Sequence, residues 1–118
     1  MNVFALGAFT VALAVILGAF GAHALGGIGA VRLAWWATAT QYLFVAAFGL
    51  MLFGLHHRAR LTFASPVTAL LVGALLFSGS LYVMGLGGPR WLGAITPFGG
   101  VSLIVGFVWI GIVAISAR

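Results

Sequence analysis

The side chains able to transfer a proton or make a directed polar contact are few and unevenly spread. His23 closes the first long apolar run. Thr38, Thr40, Gln41 and Tyr42 stand together in "TATQY", Ser78, Ser80 and Tyr82 in "LFSGSLY", and Thr96 and Ser102 follow. A serine or tyrosine nucleophile needs a neighbouring base, and His23 is the one candidate within this group. As a metal ligand His23 lacks a second histidine at i+3 or i+4. The neutral ring can instead donate one hydrogen bond and accept another, which suits a structural role. His56 and His57 are adjacent, so on a helix they point to different faces. Beside Arg58 and Arg60 they read as interfacial groups rather than ligands.

Composition narrows the chemistry further. The chain has 118 residues, 64% of them hydrophobic and only 4% charged, with no aspartate, glutamate or cysteine. A soluble domain carries roughly a quarter of its residues charged, so lipid must be the solvent for most of this surface. The missing carboxylates exclude paired-acid catalysis, hard-cation cages and the usual intramembrane proton relay. The missing cysteines exclude disulfides, thiolate metal sites and cysteine nucleophiles. A net charge of +5 comes from scattered arginines that form no basic face, so nucleic acid is not implied. The expectation is a protein without catalytic residues, metal ligands or a cofactor, and not an enzyme.

A hydrocarbon core of about 30 Å asks for roughly 20 apolar residues in a helix. Four segments meet that length: residues 3–23, 33–55, 66–86 and 94–116. "GGIGAVR", "HHRARLTFASP" and "GLGGPRWLGAITP" separate them, and Pro66 and Pro97 both suit a first helical turn. "AHA" at 22–24 resembles a signal-peptide cleavage site, but no basic residue precedes the long apolar run, so the segment reads as a true span. The fold class expected is all-α: an integral membrane four-helix bundle with short loops, one domain over residues 1–118. Arg58, Arg60 and Arg118 fall on one side with the amino terminus, and Arg32 and Arg90 on the other. The positive-inside rule then places both termini in the cytoplasm, in a bacterial inner membrane.

On this topology the polar residues gather in one half of the bilayer, near the first and third loops. The layer comprises His23, Thr38, Gln41, Tyr42, Ser78, Ser80, Tyr82, Thr96 and Ser102. Two accounts fit it. The groups could bond helix to helix, with Trp35, Trp36, Tyr82 and Trp91 as an interfacial aromatic belt. Alternatively they could line a cavity for a lipid, a quinone or a small solute. Small residues at Ala14, Gly18, Ala22 and Gly26 recur every four positions and form a flat packing face on the first helix. "GAFGAHALGG" and "GSLYVMGLGG" further suggest a parallel repeat of two hairpins.

Four motifs appear in order: "GAFGAHAL", a tryptophan followed by "TATQY", "LFSGSLY" and "LGAITPFGG". Together they resemble domain-of-unknown-function family 423, the group of YgdD-like bacterial proteins and transmembrane protein 256 of mitochondria. The resemblance spans nearly the whole chain and implies a four-helix inner-membrane protein. The family pattern carries over onto His23, Tyr42, Ser78, Gly79, Ser80, Tyr82, Thr96, Pro97 and Gly99. The family commonly has a histidine one turn after the tyrosine of helix two, where this chain has Ala46. A role needing two histidines to hold a metal or pass a proton would be closed to it. The functional expectation is a non-catalytic accessory subunit, or an assembly or stability factor, of a larger membrane complex or homo-oligomer. The alternative is a lipid-, quinone- or solute-binding or transport module built on the polar layer.

Overall fold

The computed structural model describes residues 2–57 and 65–116. Arg58, Arg60 and Arg118, on which the orientation argument rests, lie outside the described residues, as does the His57 side chain. Four α-helices form in chain order: α1 (Val3–Ala24), α2 (Ala30–His57), α3 (Pro66–Gly85) and α4 (Thr96–Ser116). All four are long and apolar enough to cross a membrane, α4 together with the 3-10 turn Arg90–Ala94 that precedes it. No strand occurs among the described residues. The molecule is an all-α four-helix membrane protein, as its composition requires.

The helix ends follow local chemistry. Asn2 caps α1, its Oδ1 accepting from the Ala5 N–H at 2.7 Å. Pro66 is the first residue of α3, where its missing N–H costs nothing. The end of α3 is a Schellman turn: the Gly88 N–H donates to the Val83 carbonyl and the Gly87 N–H to that of Met84, with Gly87 at φ +96°. In the first loop the positive φ falls on Gly29 instead of the matching "LGG", so the two hairpins turn differently and the repeat does not extend to the loops. Gly29 also explains why α2 starts at Ala30, earlier than residue 33. Its carbonyl already accepts from the Leu33 N–H at 3.0 Å, which closes the first turn of the helix. "RWLGA" similarly forms a 3-10 turn from Arg90 to Ala94, behind the fixed φ of Pro89, so α4 proper begins at Thr96.

The helices pack in chain order, α1 on α2, α2 on α3 and α3 on α4, with a slight contact between α2 and α4. The α2–α3 pair is therefore the centre, flanked by α1 and α4. Lipid is as apolar as leucine, so close packing rather than the hydrophobic effect must join the helices. Glycines permit it. A Cβ on Gly99 of α4 would lie 2.7 Å from the Phe77 Cα of α3, and one on Gly7 of α1 would lie 2.8 Å from the Ala47 carbonyl oxygen of α2. At the end where α1 begins and α4 finishes (the terminal end), the interior is a purely apolar cluster of Val3, Ala46, Leu50, Val67, Leu70 and Leu103. The polar contacts lie mostly toward the opposite, loop end.

The small-residue face of α1 differs from the expected one. Ala14 is fully buried and Gly18 touches Thr40, but Ala22 and Gly26 are exposed. The buried residues of α1 are Val3, Gly7, Ala14 and Gly21. Gly7, Ala14 and Gly21 recur at the heptad interval of a slightly supercoiled pair, whereas a strict four-residue stripe drifts around the helix and leaves the interface.

Candidate functional site

The polar layer is built around Trp36. Its indole is almost fully buried between α1 and α3, rather than part of an interfacial belt. The Nε1–H donates to the Leu17 carbonyl oxygen of α1 at 2.7 Å, and Gly21 leaves the space the ring occupies. On the other side the ring meets Tyr82 of α3 edge to face, with centroids 4.5 Å apart. Such aromatic pairs favour this offset geometry over a face-to-face sandwich. Thr40, one turn along α2, bonds the Tyr82 hydroxyl at 2.7 Å and the Trp36 carbonyl at 3.1 Å. One tryptophan thus joins three helices.

The two serines of "LFSGSLY" face opposite neighbours. The Ser78 hydroxyl is buried and donates to the Ala39 carbonyl oxygen of α2 at 2.7 Å. Ser80 pairs with the Thr96 hydroxyl of α4 at 2.5 Å and with the Phe77 carbonyl at 3.0 Å. Gly79 between them has open space where a Cβ would be. Ser102 sits about 9 Å further along α4 and donates to the Ala69 carbonyl oxygen of α3 at 2.7 Å. It bridges nearer mid-span, outside the loop-end layer in which the sequence placed it. Among the described residues no buried side-chain nitrogen or oxygen lacks a partner. In a medium without water that completeness matters, because each orphaned group would cost several kcal/mol.

The remaining sequence candidates are not drawn in. His23 is exposed at the end of α1, Gln41 is exposed on α2, and Thr38 is partly buried without a hydrogen bond into the layer. Tyr42 is exposed and meets Phe77 edge to face at 4.8 Å. With Phe77, Leu103 and Phe107 it lines an apolar groove of about 450 Å³ between α2 and α4. No cluster of three metal-binding side chains occurs among the described residues.

Sequence reading missed the role of Arg32 as well as that of Trp36. The Arg32 Nε–H donates to the Gly85 carbonyl oxygen at 2.9 Å. A cation there meets the negative end of the α3 dipole and satisfies one of its last carbonyls. The signals were present in antiparallel register: glycine in helix one opposite tryptophan in helix two, and arginine at the start of helix two opposite the end of helix three.

These are the same motifs by which the sequence resembles a known group, and the comparison with known proteins agrees. The family model described as "Protein of unknown function (DUF423)" matches residues 17–100. The chain belongs to the DUF423 family. It is similar to the UPF0382 membrane protein YwdK of Bacillus subtilis (strain 168), with 42% identity over 93% of each chain. It is also similar to the UPF0382 membrane protein SSP2132 of Staphylococcus saprophyticus, with 42% identity over 87% of this chain and 88% of the relative. The UPF0382 inner membrane protein YgdD of Escherichia coli (strain K12) is 39% identical over 79% of this chain and 73% of its own length. No solved structure matches the chain. The DUF423 match covers Gly21, Trp36, Thr40, Ser78, Ser80, Tyr82 and Thr96, so the region that defines the family contains the whole loop-end layer.

Proposed function

We propose that this DUF423 protein is a non-catalytic membrane component, an accessory subunit or an assembly and stability factor of a larger membrane complex. The observation that carries the reading is the engagement of the loop-end hydroxyls. Thr40 with Tyr82, Ser80 with Thr96, and Ser78 with the Ala39 carbonyl bond one helix to another, and this holds even for Thr40, which also borders a groove of about 360 Å³ between α1 and α2. Hydroxyls held this way stiffen the fold and present no nucleophile. The protein offers its surroundings an apolar outer surface, widest on α1 and α4, where Phe9, Ile16, Ile104 and Ile112 are all exposed. The setting is a bacterial inner membrane with both termini cytoplasmic. Native mass spectrometry of protein extracted gently from its own membranes tests the role. Larger subunits carried with it are the expected result; a bare chain under conditions that keep other complexes intact would sink it.

A second reading draws on the groove lined by Tyr42, Phe77 and Phe107. Its apolar walls and single phenol at the loop end suit the tail of a lipid or quinone, with the head group near Tyr42. A small molecule retained in the same mass spectra, and lost when Gly100→Leu fills the groove, would favour this reading over the first.

A further inference from the structure

Gln41 is a polar group within a membrane span that the fold leaves without a partner among the described residues. It lies about 4 Å from the midpoint of α2 at 1.5 Å per residue, well inside a hydrocarbon core of about 30 Å. Its side chain is exposed, and its amide has no hydrogen-bond partner among the described residues. An amide facing hydrocarbon carries the desolvation cost of two donors and an acceptor with nothing to offset it.

The residues around it form a seam. Ala34, Thr38, Gln41, Val45, Phe48, Leu52 and Leu55 follow each other at alternating steps of four and three, the heptad spacing of helices that pack with a left-handed supercoil. All are exposed except Thr38, which is half-buried. The seam points away from the face of α2 formed by Trp36, Ala39, Leu43, Ala46 and Leu50, all buried against α1 and α3. Ala34 narrows the seam toward the loop end, which lets a second backbone approach.

We infer that this seam is the contact between two copies of the chain, with Gln41 paired to Gln41 of the second copy across a two-fold axis along the membrane normal. Two identical chains inserted in the same orientation carry Gln41 at the same depth. A carboxamide is self-complementary, since each side chain donates through its NH2 and accepts through its oxygen. An isologous interface brings a residue on the axis against its own copy. In a heptad seam that is otherwise apolar but for Thr38, a buried amide also fixes register and partner number. Charge does not oppose the pairing: the seam carries none, and Arg32 is turned away onto the Gly85 carbonyl of α3. The inference is independent of the accessory-subunit proposal.

The test uses the full chain in its own membranes, where the absence of native cysteine makes each introduced thiol unambiguous. Single cysteines at Ala34, Thr38, Val45 and Leu52 should give disulfide-linked dimers on mild oxidation. Cysteines at Phe9, Ile104 and Ile112, exposed on α1 and α4, should give no such homodimers. Gln41→Leu should weaken association about three- to thirtyfold, and Gln41→Asn, which keeps the self-pairing amide, should retain most of it. Cross-linking without heptad periodicity, or confined to the α1 and α4 positions, would overturn the inference. So would a Gln41→Leu protein that dimerises like the wild type. Seam cysteines that link only to a different, larger protein would overturn it while supporting the accessory role. Seam dimers without co-purifying subunits would do the reverse.

Discussion

The Trp36 indole of α2 lies across Gly21 of α1 and donates its N–H to the Leu17 carbonyl oxygen at 2.7 Å. This seat joins the two helices and fixes the ring that Tyr82 then meets from α3. A Cβ on Gly21 would lie 2.6 Å from the indole nitrogen, so Gly21→Ala must push the ring off its acceptor. Overpacking of this kind costs about 1–3 kcal/mol. Unfolding in mixed micelles titrated with a denaturing detergent should show that loss. Gly111→Ala makes a useful control, because nothing lies within 4 Å of its added methyl. Equal stability of Gly21→Ala and wild type would remove Trp36 from the centre of the fold.

Tyr82→Phe deletes the hydroxyl that bonds Thr40 while keeping the ring against Trp36. Thr40 retains the Trp36 carbonyl as an acceptor, so no buried donor is orphaned and the change should be mild. Single interhelical hydrogen bonds in membranes are worth about 0.6–2 kcal/mol, and the loss should fall in that range. A double-mutant cycle with Thr40→Val isolates the pair. A coupling energy of zero would mean that the ring contact alone holds α2 to α3.

His23→Ala separates the structural account from one based on intramembrane chemistry. The ring is exposed and takes no part in the Trp36 network. Substitution should change stability by less than about 0.5 kcal/mol, as expected for an exposed site. It should also leave any co-purifying subunits or bound lipid as they were. A lost adduct on this single change would transfer the functional site to the end of α1.

The spans were legible in the sequence because lipid imposes a long and simple constraint. Twenty apolar residues between arginine-, glycine- or proline-bearing breaks can hardly be anything but a helix, and observed ends differ from expected ones by a few residues. "LFSGSLY" was likewise recognisable as part of a polar layer, since hydroxyls in lipid must find partners, although the sequence left open whether they bond helix to helix or line a cavity. Which partners they find was not legible. Ser78 reaches a backbone carbonyl of α2 and Ser80 a hydroxyl of α4 because consecutive even positions on a helix face different neighbours. His23, Gln41 and Tyr42 looked equivalent to Thr40 by depth and composition, yet rotation about the helix axis turns them outward. Depth follows from counting residues; rotation depends on where the small residues let the neighbouring helix approach, and for α1 that was the heptad of Gly7, Ala14 and Gly21 rather than the four-residue stripe.

Orientation gives the last prediction. Arg58, Arg60 and Arg118 mark one side of the membrane, and Arg32 and Arg90 the other. The positive-inside rule counts cations in short loops, so the excess on the first side is one arginine plus the terminal amine. A cysteine at Ser116 should resist an impermeant maleimide in intact cells and react once the membrane is opened. Arg58→Ala with Arg60→Ala removes the excess, and the same cysteine should then label in part from outside. Labelling of Ser116→Cys in intact cells with all five arginines present would reverse the topology. Arg32 has a structural role whichever side it occupies: its guanidinium is held on the Gly85 carbonyl at the end of α3. Arg32→Ala should therefore loosen the α2–α3 contact without altering which side the termini occupy.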